Sequence, residues 1–294
     1  MNIIESFDND SSAVINPGFR DGPVLGFPET AVCCFMQSTI DVLFPEICDV
    51  PQKPDLRLPV SGAPVRIINY ESRGLWKSQP GCSGEQDGTD GSAESVPGSK
   101  RAPGRRTAFA LCRLPVGAPS AAAALENLYA AGVRTAVVFG TCGVLKADIG
   151  DCSVIIPDSA LRCEGTSFHY VPASDEIVLN GSYKEEFAQI LNSLSVPYRT
   201  GKVWTTDAVY RETRNMIEKR RRQGCICVDM ECSALAAVAT FRRRGFFQFF
   251  CAADNLDAPA WERRSLGTFD LHERRVSIVR SALELASLIS DEEK

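Results

Sequence analysis

Histidine is nearly missing from this sequence, and its scarcity limits the sites that the chain can build. Only 2 of the 294 residues are histidines, His169 and His272, and no two of the 12 cysteines stand in a CxxC pair. Zinc sites in proteins depend on closely spaced cysteine and histidine ligands. We therefore expect no metal centre.

Long apolar runs and an excess of positive charge are missing as well. No stretch of about eighteen apolar residues occurs, the length that spans a bilayer. The net charge is −5, and the start of the sequence, MNIIESFDNDSS, lacks the apolar core of a signal peptide. These features predict a cytoplasmic protein whose partners are neither membranes nor nucleic acids.

Cysteine, by contrast, is frequent. Cys33 and Cys34 lie in the apolar run AVCCF, and Cys251 lies in FFQFFCAA. Cysteines in such runs behave as small buried hydrophobic residues. Free thiols also fit the reducing interior of a cell, so the sequence favours them over a disulfide framework.

One segment, from about 73 to 106, differs from the rest in composition. It is dense in Gly, Ser, Pro and charged residues, so it has too little apolar surface to offset the entropy of ordering. Predicted strands flank it, at 64–71 and 107–114. We interpret the segment as a flexible insertion in a β-hairpin, within a single domain that covers residues 1–294.

Beyond this segment, predicted strands and helices alternate. A helix rich in alanine covers 120–131 and ends at Gly132, which is typical of a helix C-cap. Such alternation predicts an α/β fold, a single domain with a central mixed, mostly parallel β-sheet flanked by helices on both faces. The further strands are predicted at 134–139, 151–157, 201–205, 225–229 and 246–253, and the further helices at 211–223, 232–244 and 272–290.

Ligands of parallel sheets bind beyond the carboxyl ends of the strands, and four stretches lie there. Two of them suit an anion: LPVGAPS (114–120) precedes a helix, and GTCGV (140–144) follows a strand. Glycines let backbone N–H groups approach a phosphate, and Thr141 adds a hydroxyl group. The alternative is that GTCGV forms an ordinary turn.

The other two stretches carry acidic residues. In VDME (228–231), Glu231 is placed to accept hydrogen bonds from two sugar hydroxyls while Met230 packs on the ring; alternatively, Glu231 only stabilises the start of the next helix. In AADN (252–255), Asp254 ends an apolar strand. Partial burial there raises a carboxyl pKa toward the range of a general acid, although an aspartate that begins a loop is an equal alternative.

Taken together, the motifs resemble the nucleoside phosphorylase family, which includes uridine phosphorylase, purine nucleoside phosphorylase and methylthioadenosine nucleosidase. Five motifs follow in the family's order, and the resemblance covers most of the chain outside the insertion. They are NPGF (16–19), the segment 139–172 that begins FGTCGV, TTDAVY (205–210), VDMECSAL (228–235) and AADN (252–255).

The resemblance implies a fold of this family and roles for the residues at matching positions. Glu231 and Met230 would hold the ribose, and Asp254 would protonate a departing purine. His169 matches a family histidine, to which we assign only a structural role. The phosphate contacts would be Gly18, Arg20 and Thr141, and the base contacts Cys142, Gly143, Tyr210 and Arg214.

Several arginines of the family pattern are missing or displaced. Val138 stands where the family's phosphorylases carry an arginine, and Arg20 lies closer to its glycine than usual. Arginine is a natural phosphate ligand, so Arg20 or Arg113 would have to substitute. The residues expected to read a pyrimidine are also unclear, with Arg214 as a replacement for one of them. The basic run 219–223 indicates a solvated helix end.

These observations lead to three hypotheses. The first is phosphorolysis of a nucleoside to ribose-1-phosphate and a free base, with inorganic phosphate as co-substrate and no other cofactor. The second is hydrolysis, which the missing arginine favours. The third is a nucleoside-binding module without turnover. We also expect a homo-oligomer, either a dimer, a trimer or a hexamer.

Overall fold

The structure, a computed structural model of the chain, describes residues 2–11, 13–19, 22, 24–76, 106–268 and 270–292. Most of the predicted insertion at 73–106 lies outside these residues. Arg20, a predicted phosphate contact, also lies outside them. No helix among the described residues has the length and apolar content needed to cross a membrane.

Ten strands and five α-helices form within the described residues. The strands are β1 (Thr30–Cys34), β2 (Leu56–Arg57), β3 (Pro64–Glu71), β4 (Arg106–Arg113), β5 (Thr135–Val144), β6 (Val154–Cys163), β7 (Glu176–Val178), β8 (Tyr198–Thr206), β9 (Cys225–Asp229) and β10 (Gly245–Asn255). The helices are α1 (Ala118–Ala131), α2 (Lys184–Ser193), α3 (Arg214–Arg222), α4 (Cys232–Arg242) and α5 (His272–Glu292).

The sheet closes on itself, which corrects the prediction of a simple flanked sheet. β10 pairs in parallel with β5 and antiparallel with β6, at Phe250 and Cys251. Because β6, β8, β9 and β5 pair in succession, these five strands form a closed barrel, from which β1, β4, β3 and β2 extend. The apolar β10 is 11 residues long and can pair with two strands at once. Closure leaves fewer unpaired strand edges.

The sheet is mixed, as predicted, and its longest pairings are parallel. Five strand pairings of the described residues are parallel and five are antiparallel. The parallel pairings of β10 with β5 and of β6 with β8 run along most of these strands, whereas the antiparallel pairings other than that of β3 with β4 involve only two or three residues of each strand.

Helices cover both faces of the open part of the sheet, as predicted. Alternate side chains of a strand point to opposite faces. In β1, Val32 and Cys34 pack in the core beneath α2 and α5, whereas Ala31 and Cys33 pack in the core beneath α1 and α4. Nine of the eleven described cysteines are buried, as their apolar neighbours in the sequence predict.

β3 and β4 pair antiparallel from Val65 opposite Cys112 to Glu71 opposite Arg106, so the chain returns to the same edge after the predicted insertion. The fully buried Glu284 of α5 fastens this end of the pair. Its carboxylate accepts hydrogen bonds from the Tyr70 hydroxyl at 2.7 Å, the Ser72 hydroxyl at 2.9 Å and the Arg73 amide at 2.7 Å. That the intervening segment is a dispensable insertion stays a prediction.

Candidate active site

The ends of β5, β9 and β10 meet around a cavity of about 210 Å³. Strand register explains the meeting, because Gly143 of β5 lies opposite both Val228 of β9 and Asp254 of β10. The cavity collects six of the residues that the sequence singled out, although these are separated by up to about a hundred positions in the chain. They are Thr141, Cys142, Gly143, Met230, Glu231 and Asp254.

Glu231 is buried and its carboxyl group faces the cavity. One oxygen, Oε1, accepts a hydrogen bond of 2.6 Å from the amide of Gly117, in the loop before α1. Burial and the nearby Asp229 raise its pKa to about 8. Glu231 stands at the N-cap position of α4, but its side chain makes no capping hydrogen bond there.

Asp229 is the residue that caps α4, and sequence reasoning missed it. Its Oδ2 atom accepts hydrogen bonds from the amides of Glu231 at 2.9 Å and Cys232 at 2.7 Å. Its Oδ1 atom accepts a bond of 2.7 Å from the Thr205 hydroxyl of β8. Burial raises its pKa to about 6. Asp229 thereby fixes the backbone between β9 and α4, where Glu231 lies. The position of Asp229 in VDME, just before a helix, is the sequence signal that could have identified it as a cap.

Asp254 is half-buried at the end of β10. The indole N–H of Trp261 donates to its Oδ2 atom at 2.8 Å. Burial raises its pKa, while Trp261 and Arg264 act in the opposite direction. The environment therefore matches the prediction of partial desolvation at this carboxyl group.

Glu212 is a second functional candidate that sequence reasoning missed. It lines the same cavity, and burial, together with the charge of Asp254, raises its pKa to about 7. It lies two residues after TTDAVY, and its signal in the sequence is this place close to a motif of the family pattern.

GTCGV is not a turn, so the alternative of an ordinary turn drawn from the sequence is wrong. β5 continues through Val144, so these glycines lie within a strand and no helix starts after them. Gly143 instead permits close packing, because a Cβ atom there would lie 2.4 Å from the Leu256 Cδ1 atom. Thr141 is half-buried and lines the cavity. Within this stretch, the Thr141 hydroxyl group therefore stays the candidate for a phosphate contact.

Of the remaining predicted contacts, those within the described residues do not line this cavity. Gly18 lies at a separate cavity together with His169, whose side chain is exposed. Tyr210 is 96% exposed. Arg214 donates to the backbone carbonyls of Leu256 at 2.8 Å and Pro259 at 2.7 Å, so its guanidinium group holds the chain rather than a ligand.

The cavity is acidic. Its lining includes the carboxyl groups of Glu212, Asp229, Glu231 and Asp254 and, among the described residues, no lysine, arginine or histidine. The exposed Arg113 donates instead to the carbonyl of Phe35 at 3.4 Å. No cluster of three His, Cys, Asp or Glu residues suited to a metal ion is present in the described part of the chain.

Curated relatives match about half of the chain. Guanosine phosphorylase of Halorubrum lacusprofundi is 29% identical over 139 residues, which are 47% of this chain and 57% of that protein. A DeoD-type purine nucleoside phosphorylase of Brevibacillus brevis is 27% identical over 161 residues, or 51% of this chain and 66% of that protein. The match therefore spans less than two thirds of either relative.

The fold is similar to that of uridine phosphorylase from Vibrio fischeri ES114. Its complex with 6-hydroxy-1-naphthoic acid gives a TM-score of 0.62 at 18% identity, over 90% of this chain and 93% of that one. A second structure of the enzyme gives 0.61 at 17% identity, over 95% and 100%. The sequence profile of the phosphorylase superfamily matches residues 103–289. The chain belongs to the phosphorylase superfamily.

Proposed function

We propose that the protein cleaves the N-glycosidic bond of a purine nucleoside, with phosphate as the nucleophile, to give ribose-1-phosphate and a free base. The observation that carries this proposal is the presence of Glu231 and Asp254 in one cavity. The transition state of such a cleavage has positive charge on the sugar and negative charge on the base. Its stabilisation requires a held ribose and a proton donor at the base.

The contacts of Glu231 support a role at the ribose. Gly117 occupies one lone pair of Oε1, and the carboxyl group has further lone pairs that can accept from the sugar hydroxyls. Met230, which is half-buried beside it, offers an apolar surface to the ring.

The choice of a purine follows from the groups near Asp254. A departing uracil places charge on its carbonyl oxygens and needs hydrogen-bond donors there. Arg214 and Tyr210 are the candidates for these donors. The Arg214 guanidinium group already donates to backbone carbonyls, and Tyr210 is exposed. A purine instead leaves well once a ring nitrogen is protonated, which suits a carboxylic acid.

Hydrolysis is the second candidate, and the acidic lining favours it. A phosphate anion beside four carboxyl groups is repelled unless cations compensate, and Val138 replaces the arginine of the family pattern. Water carries no such penalty. The phosphorylase activity named for the curated relatives is what favours phosphate.

Incubation with a panel of purine and pyrimidine nucleosides, with and without phosphate, tests the proposal. We expect release of purine bases that depends on phosphate and yields ribose-1-phosphate. Release without phosphate would establish hydrolysis instead. Binding of nucleosides without release would show a binding module that lacks turnover.

A further inference from the structure

Glu212 lines the cavity, yet none of the sequence motifs assigns it a task. It follows the short 3-10 helix Val209–Arg211 and precedes α3 by two residues. Within the described residues, its carboxyl group has no hydrogen bond or ion pair. A partly buried carboxyl group without a partner is costly unless it stays protonated or meets a ligand.

The position of Glu212 beside Asp254 is built into the fold. The two carbonyls that Arg214 binds, those of Leu256 and Pro259, belong to the segment that follows Asp254. On the same helix, the Arg221 guanidinium group pairs with Asp257 at 2.6 Å. Helix α3 is therefore tied near both of its ends to the segment that follows Asp254.

The charges around Glu212 favour a retained proton. Asp254 faces it from β10, and Asp229 and Glu231 face the same cavity from the end of β9. Burial and the charge of Asp254 raise the pKa of Glu212 to about 7. The pKa of Asp254 is raised by burial but held down by Trp261 and Arg264, so Asp254 is the better site for the negative charge. Two neighbouring carboxyl groups then share one proton near neutral pH.

We propose that Glu212 and Asp254 act together as a carboxylic acid pair and that Glu212 holds the proton that the departing purine takes up. This inference rests on the proposed function. The O–H bond of the acid breaks and an N–H bond forms on the base, directly or through Asp254. The electron pair of the C1′–N bond stays with the base, and an oxygen of phosphate or water bonds to C1′. A proton from the attacking water, or from solvent when phosphate attacks, restores the acid.

The test compares two substrates in the full-length Glu212→Gln variant. One is the purine nucleoside that the wild type cleaves best. The other is 4-nitrophenyl β-D-riboside, whose leaving group departs without protonation. We expect kcat for purine release to fall at least about 30-fold more than kcat for nitrophenol release. Glu212→Asp, which keeps the acid, should recover part of the purine activity.

The pH profile gives an independent readout. Because the protonated form of Glu212 is the active one, kcat/KM for the purine should decline as the pH rises through about 7 in the wild type. Glu212→Gln should lose this decline, whereas a merely structural role would leave it in place.

Two results would overturn the acid pair. The first is an equal loss on both substrates, and the second is purine release in Glu212→Gln with wild-type rate and pH profile. A wild-type protein that releases neither nitrophenol nor any base would instead show that the proposed function itself is wrong. The proposal of an acid pair would then be wrong as well.

Discussion

The Glu231 carboxyl group is buried at the cavity, where it accepts a hydrogen bond from the Gly117 amide and keeps further lone pairs for a ligand. We predict that Glu231→Gln lowers base release by at least about 10²-fold, because the amide group replaces one of the two oxygens that can bond to the ribose hydroxyls by an NH2 donor. Steady-state release of the preferred base measures the effect. Glu218→Gln, the same change on the exposed side of α3, is the control. A folded Glu231→Gln protein with near-native activity would remove the ribose assignment.

Asp254 offers a second prediction for a single residue. Asp254→Asn keeps the shape of the side chain but removes the carboxyl group that pairs with Glu212 and can pass a proton to the base. Purine release should fall by about 10²-fold or more, measured with the same panel of nucleosides. If the wild type instead prefers uridine and Asp254→Asn is nearly as active, the purine assignment is wrong. The base contact would then have to be sought at Arg214.

At the scale of elements, the segment between β3 and β4 gives a prediction about folding. Replacing residues 77–105 by a short Gly-Ser turn should change Tm by only a few degrees, because the entropy of closing a loop depends weakly on its length. The antiparallel pairing of the two strands and their contacts with Glu284 lie outside the deleted segment. Thermal melting and soluble yield report the outcome.

A substitution at the same end of these strands provides the contrast. Glu284→Ala leaves the buried hydroxyls of Tyr70 and Ser72 without their acceptor, and it should lower the free energy of unfolding by about 2 kcal/mol or more. If the deletion melts without cooperativity while Glu284→Ala is mild, then the segment has a structural role that its composition conceals.

For the whole molecule, the buried carboxyl groups of the cavity predict how stability depends on pH. The pKa values of Asp229, Glu212 and Glu231 are raised to about 6, 7 and 8. The folded chain therefore holds protons that the unfolded chain has lost above about pH 4.5, and the free energy of unfolding falls as the pH rises toward 8. Tm should therefore decline between pH 5 and pH 8, most steeply above pH 5 where all three groups contribute.

The comparison that isolates this effect is between the wild type and Glu231→Gln. The variant has no carboxyl group to ionise at this position, so its Tm should depend less steeply on pH, and the difference should grow toward pH 8. Differential scanning calorimetry over this range measures both slopes. Parallel slopes would contradict the raised pKa of Glu231.

Much of this protein is determined by local sequence. The alternation of strands and helices, the β-hairpin strands at 64–71 and the start of α4 after VDME follow from periodicity and capping, which act over a few residues. The order of short motifs likewise predicts the superfamily, and Glu231 and Asp254 are found by their places at strand ends.

Only the tertiary structure decides how these parts meet. Barrel closure by β10 depends on pairing with β6, a strand almost a hundred residues earlier, and no local pattern encodes such a contact. The same holds for the cavity. Arg214, a candidate base contact in the sequence, donates to backbone carbonyls more than forty residues away. This contact brings Glu212 beside Asp254. The sequence by itself therefore determines the elements and the family, while the charge and the proton of the site arise from side chains that only folding brings together.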